Sequence, residues 1–259
     1  ANTSAQYGAV AKTFHWLTAF GILAVIPLGI IANDMPYDTA EQLADKAWLF
    51  SLHKTIGLTL FFVAVLRILW ALSQPKPVPL HTDRKIESLM AEIVHWLLYG
   101  SLVLVPLSGW IHHAATEGFA PIWWPFGQNL PLVPESVTLS ETTAGLHIVF
   151  ERVLALSVFL HVAGALKHAL IDRDATLARM LPGRTEAAPA SPAPAHRTLG
   201  APIVALLVWV GALGVGAGLG VFSHQGDRPQ VAALKAVPSD WEVQEGTLGL
   251  RIAQFGAGV

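Results

Sequence analysis

The chain has 259 residues, 53% hydrophobic and 13% charged, with a formal net charge of −2. A soluble domain carries about 25% charged residues, so this is a membrane composition, and the near-neutral charge gives no reason to expect a nucleic-acid partner. Cysteine is absent, which excludes disulfides, thiolate-bound zinc, iron–sulfur clusters and covalently attached c-type haem.

Five apolar runs reach spanning length, roughly residues 13–32, 48–72, 89–112, 143–170 and 199–222. Closed helices are the way single segments satisfy their backbone in lipid. The expected fold is therefore all-α: a four-helix transmembrane bundle, a fifth transmembrane helix and a short extramembrane tail. Pro27 and Pro106 lie inside predicted helices and are expected to kink them. No cleavable signal peptide is expected, because the first run holds His15 and is long enough to span.

The loops orient the bundle. The stretch 34–47 carries Asp34, Asp38, Glu41 and Asp45 against Lys46, and 113–142 has no Lys or Arg. By contrast 73–88 holds Lys76, Arg84 and Lys85, and the segment after the fourth run holds Arg173, Arg179, Arg184 and Arg197. The positive-inside rule places the N-terminus and these basic segments in the cytoplasm. After a four-helix domain at 1–183, residues 184–198 form a linker that includes the Pro/Ala stretch EAAPASPAPAH. The fifth span, 199–222, has neither histidine nor charge and reads as an anchor. The tail, 223–259, is placed outside and is too short to bury a core of its own.

Histidine is the unusual residue. There are 11, several inside apolar runs. His147 and His161 share the fourth run and are 14 residues apart. That is about four helical turns, so both face nearly the same way, roughly 21 Å apart along the axis. Two imidazoles on one face, near the two edges of a ~30 Å hydrocarbon layer, suggest one helix holding two stacked haems. Each iron then needs a second imidazole. Helix one starts at the cytoplasm with His15 in its first turns, at the depth of His161. Helix two starts outside with His53 about a turn in, at the depth of His147. Orientation and depth alone give the pairs His15–His161 and His53–His147.

Neighbouring residues fit in part. Gly57, one turn after His53, and Gly164, three residues after His161, leave room for a flat macrocycle or for close helix packing. Arg67 lies 14 residues after His53. A charge inside a span is usually paired, and Glu92, a haem propionate or snorkelling to the surface are its options. His95 and His168 fall on the cytoplasmic side, either as alternative ligands or lining a quinone pocket. His112 and His113 are placed at the interface, and His81, His196 and His224 in solvent. Lys54, beside His53, either attracts an anionic donor or is a plain interfacial lysine.

FHWL at 14–17, HKTIG at 53–57 with Arg67 following, AEIVHWLLY at 91–99 and a fourth stretch ending DATLARMLP resemble the bacterial cytochrome b561 family over about residues 7–183. The resemblance implies four helices holding two b haems through His15, His53, His147 and His161, and electron exchange with the quinone pool, ubiquinone being the expected acceptor. One branch of that family oxidises superoxide at the outer face. The resemblance also places His95 and His168 near the quinone pocket, with Trp16 beside His15 as a further lining residue. The tail DWEVQEGTLGLRIAQFG is similar to the opening strands of a YceI-like periplasmic domain, which binds isoprenoid chains. The expected protein is a multi-pass cytochrome of the bacterial inner membrane, in contact with lipid, quinone and a periplasmic-side donor. Two other functions stay open: a cytochrome subunit docked to a hydrogenase or dehydrogenase, and a histidine-lined metal or proton transporter. A membrane anchor whose histidines only pack is the remaining reading.

Overall fold

The computed structural model describes residues 1–223 apart from 4, 79, 82, 117–119 and 184–198. The linker and the YceI-like stretch fall outside the described residues. Among the described residues five helices form: α1 (Ala9–Asp34), α2 (Ala40–Ser73), α3 (Lys85–Ala114), α4 (Val137–Lys167) and α5 (Gly200–Gly218). All five are long and apolar enough to cross a membrane, α4 being continued by a π-helical turn, His168–Asp172. No strand occurs among the described residues.

α2 and α4 begin before their apolar runs because local caps set their starts. α2 begins at Ala40, within the stretch expected as a loop. Thr39 Oγ1 accepts from the Gln42 amide at 3.2 Å and Gln42 Oε1 accepts from the Thr39 amide at 3.3 Å, a reciprocal capping box. Ser136 Oγ caps α4 by accepting from the Leu139 amide. The π turn ends where Arg173 takes the left-handed conformation, φ 53°.

α3 packs along α4 and α1 along α2. Thr18, Ser101 and Ser157 are almost wholly buried, and each hydroxyl donates to the carbonyl four residues earlier. Short polar side chains thereby reach helix interfaces without an unmet donor in lipid. Large apolar side chains such as Phe20, Leu66, Leu156, Phe159 and Leu207 are exposed, as a lipid-facing surface requires.

α5 is more than an anchor. Ala201, Ala205 and Trp209 are buried against Ile93 and Leu97 of α3 and Phe150 and Val153 of α4. Trp209 meets Phe150 edge-on at 5.1 Å and lies over Gly100, where a Cβ would come within 3.3 Å of the indole nitrogen. Small residues let the backbones approach, and van der Waals contact then holds the helix.

Candidate functional site

α4 carries a histidine towards each end of the bundle, and the neighbouring helices supply one facing each. At the acidic end, near Asp38 and the Glu41 turn that opens α2, His53 of α2 faces His147 of α4. Their ring centroids are 6.3 Å apart and their planes 78° apart. At the basic end, His15 of α1 faces His161 of α4 at 6.0 Å and 57°. Two metal–nitrogen bonds of about 2 Å, with the rings behind them, put axial imidazole centroids roughly 6 Å apart. Both pairs have that separation.

Hydrogen bonds fix the tautomer at the acidic end. His53 Nδ1 donates to the Val25 carbonyl at 2.9 Å and His147 Nδ1 to the Val105 carbonyl at 2.8 Å. A carbonyl only accepts, so Nδ1 carries the proton in each neutral ring and Nε2 keeps its lone pair for a metal. At the basic end the surroundings differ. Arg67 Nη2 lies 3.4 Å from His15 Nδ1, and its guanidinium sits over the Tyr99 ring at 5.6 Å. Among the described residues no carboxylate pairs with Arg67, and Glu92 is not its partner. Glu151 pairs with Arg152 at 3.2 Å.

Space lies beside both pairs. A Cβ on Gly164 would meet nothing within 4 Å, and one on Gly57 only the Val25 side chain at 3.9 Å. Free Nε2 lone pairs at one end, matched ring separations at both, open glycine faces and a cation without a carboxylate fit haem, a flat metal macrocycle with acidic propionates.

The residues expected around a quinone are dispersed. His95 lies edge-on to His161 at 5.2 Å, closer than either facing pair, and its Nδ1 donates to Ala91 of its own helix at 2.6 Å. Trp16 is 5.3 Å from His15 and donates from Nε1 to the Met180 carbonyl at 2.8 Å. It lines a cleft of about 1050 Å³ with Tyr7, Lys12, Leu17 and Phe20, of which neither His95 nor His168 forms part. His168 sits on the π turn, held by Glu87 at 2.9 Å and Asp174 at 2.6 Å.

Two partners of His168 had no local signal in the sequence. Asp174 accepts from His168 and also lies 3.0 Å from His81 Nε2, and the two imidazoles stack at 6.3 Å and 8°. His81, expected in solvent, is thus a half-buried member of an ion-pair network. Burial pushes the Asp174 carboxyl up, but hydrogen bonds from Thr176 and His168 outweigh it and hold the group below its ordinary 3.8. Glu87, His168 and Asp172 converge closely enough for a cation. Lys167 already bridges Glu87 and Asp172 at 2.8 Å, and Arg84 reaches Asp172 at 3.1 Å, so the carboxylates are neutralised within the protein.

Lys54 takes neither expected role. It is 7% exposed, and its Nζ donates to the Ala120 carbonyl at 2.6 Å. Lys12 donates likewise to Leu181 and Gly183, and Arg179 to Ala5 and Val78. These buried cations satisfy loop carbonyls at the helix ends.

Residues 6–183 match the family described as prokaryotic cytochrome b561. The chain belongs to the prokaryotic cytochrome b561 family. It is 32% identical over 182 residues to cytochrome b561 homolog 2 of Escherichia coli (strain K12), across 70% of this chain and 93% of that protein. It is 26% identical over 179 residues to a probable superoxide oxidase CybB of Yersinia pestis, across 68% of this chain and 96% of that protein. Membership makes this cytochrome b561 relative a multi-pass membrane protein of a haem b family. The YceI-like stretch lies beyond the matched region as well as outside the described residues.

Proposed function

We propose that this cytochrome b561 relative is a di-haem electron carrier of the bacterial inner membrane, taking single electrons from a donor on the periplasmic side and delivering them to quinone. The observation that carries it is the pair of facing histidines at each end of the bundle, with centroids 6.3 and 6.0 Å apart. His53 and His147 would hold one haem, and His15 and His161 the other. Haem b would supply a one-electron Fe(III)/Fe(II) couple there, with two imidazoles available to each iron.

The chain's own residues do the rest. Nδ1–H bonds to Val25 and Val105 orient the rings and raise the basicity of their Nε2 atoms. Arg67 compensates an acidic propionate at the basic end, which the positive-inside rule assigns to the cytoplasm. Reduction of quinone to quinol takes up two electrons and two protons. Trp16 and Tyr7 offer an aromatic cleft next to His15 for the ring. His168, hydrogen-bonded to Asp174 with His81 behind it, lies on the same side.

The relative named a probable superoxide oxidase supports a small one-electron donor. A second reading, a docked redox partner protein, is favoured by the acidic α1–α2 junction with Asp34, Asp38, Glu41 and Asp45, which attracts a basic surface and repels an anion.

A reduced-minus-oxidised visible spectrum with a pyridine haemochrome count tests the function. Two b haems per chain are expected. His147→Ala removes the acidic-end haem and His161→Ala the other. Loss of neither refutes the ligand scheme, and a colourless folded protein leaves the transporter reading in its place.

A further inference from the structure

The two ligand imidazoles of the acidic end lie in matching places on different helices. His53 of α2 rests on α1, and His147 of α4 rests on α3. The carbonyl that accepts from Nδ1 belongs to Val25 in one case and Val105 in the other. Four residues further on, each helix has a glycine, Gly29 and Gly109. A Cβ on Gly29 would stand 2.7 Å from His53 Cε1 and 2.9 Å from Nδ1. A Cβ on Gly109 would stand 2.9 Å from His147 Nδ1 and 3.0 Å from Cε1.

The spacing has a geometric cause. In an α-helix the Cα–Cβ bond tilts towards the N-terminus, so the side chain at i+4 covers the carbonyl at i. Only a residue without a Cβ leaves that carbonyl open to a ring from a neighbouring helix. Its second lone pair then takes the imidazole N–H. A proline stands between carbonyl and glycine in both helices, Pro27 and Pro106. Proline lacks a main-chain donor, so the carbonyl four residues before it is left without its helical partner.

We propose that Val25–Gly29 and Val105–Gly109 are twin notches that seat the His53 and His147 imidazoles and fix their ring planes, making Gly29 and Gly109 positioning residues for the acidic-end haem alone. This rests on the ligand scheme of the proposed function. The basic-end pair has no counterpart. Among the described residues no main-chain carbonyl takes a hydrogen bond from His15 or His161, and no glycine has either ring against its Cα. The two ends are thus built differently, one by main-chain hydrogen bonds and the other beside the Arg67 charge.

The test compares Gly29→Ala and Gly109→Ala with wild type and with Gly214→Ala, a helical glycine of α5 where a Cβ meets nothing within 4 Å. Haem per chain, the low-spin ferric electron paramagnetic resonance spectrum and the midpoint potential of each haem are read on purified full-length protein. Near-perpendicular ring planes give a strongly anisotropic signal in wild type. Each notch variant is expected to lose the acidic-end haem, taking the count from two to one, or to shift its signal and potential. The basic-end haem is unchanged and reports that the variant folds. Gly214→Ala matches wild type. Two haems with unaltered spectra and potentials in both notch variants overturn the proposal, as does equal damage to both haems. Wild type with fewer than two haems overturns the ligand scheme, and the notches with it, a result distinct from unaltered variants.

Discussion

Arg67 and the Nδ1 bonds act on the two histidine pairs in opposite senses. Under the proposed ligand scheme, a guanidinium beside His15 favours the reduced, more negative haem. It acts there as a charge, because with Nε2 on iron the Nδ1 of His15 is a donor and cannot accept from it. At the other end, Nδ1–H bonds to carbonyls make both imidazoles more basic and, in the same scheme, would favour the oxidised iron. The basic-end haem is therefore expected at the higher potential, which runs downhill from the donor side to the quinone side. Arg67→Leu is expected to lower the basic-end potential by on the order of 60 mV, the equivalent of about 1.4 kcal/mol for one electron, and to leave the other haem unmoved. A spectroelectrochemical titration decides it, and an unchanged basic-end potential refutes the electrostatic role.

α5 and the segment after α4 show how elements without ligands support the site. α5 packs through Ala201, Ala205 and Trp209, with Ala205 only 4% exposed. Ala205→Leu overfills that interface and is expected to cost about 1–3 kcal/mol, seen as a lower thermal midpoint in detergent. Haem content should hold, since α5 carries no histidine. At the other end, Asp174 ties the segment after the π turn to His168, His81 and Thr176. Its carboxyl is held below 3.8, so its stabilisation is fully present above that pH and is lost as pH falls through the depressed folded value. Hydrogen exchange in residues 174–183 should stay slow down to about pH 4 and rise below it. Asp174→Asn should raise exchange at neutral pH and flatten that acid dependence. An identical pH profile in the variant would assign the anchoring to other groups.

At the scale of the molecule, five helices place one histidine pair near the acidic loops and the other near the basic ones. The absence of cysteine makes the topology directly testable. Asp38→Cys, in the first acidic loop, is expected to react with an impermeant maleimide from the periplasmic side of intact cells. Lys76→Cys should react only after the membrane is broken. The reverse pattern inverts the bundle and places the quinone side outside. The absorbance of both haems should survive in each variant, because neither residue touches a histidine pair.

Apolar run length and histidine spacing determined the helices and the facing pairs by themselves, because lipid forces long closed helices and 14 residues return a helix to the same face. The facing of His15 with His161 and of His53 with His147 could therefore be read before any contact was known. What the sequence left open were matters of side-chain direction and distant pairing. Whether Lys54 faces a donor or a carbonyl depends on a loop 66 residues away. Asp174 meets His81 across 93 residues, with no local pattern to mark it. Pro27 and Pro106 were legible inside their helices, but the glycines beyond them become notches only when a neighbouring helix lays a ring on them. α5 read as an anchor because its composition is uniform, and only packing against α3 and α4 distinguishes its buried stripe from its lipid face. Composition and periodicity report what each helix can bury, whereas tertiary contact alone decides which buried atom meets which.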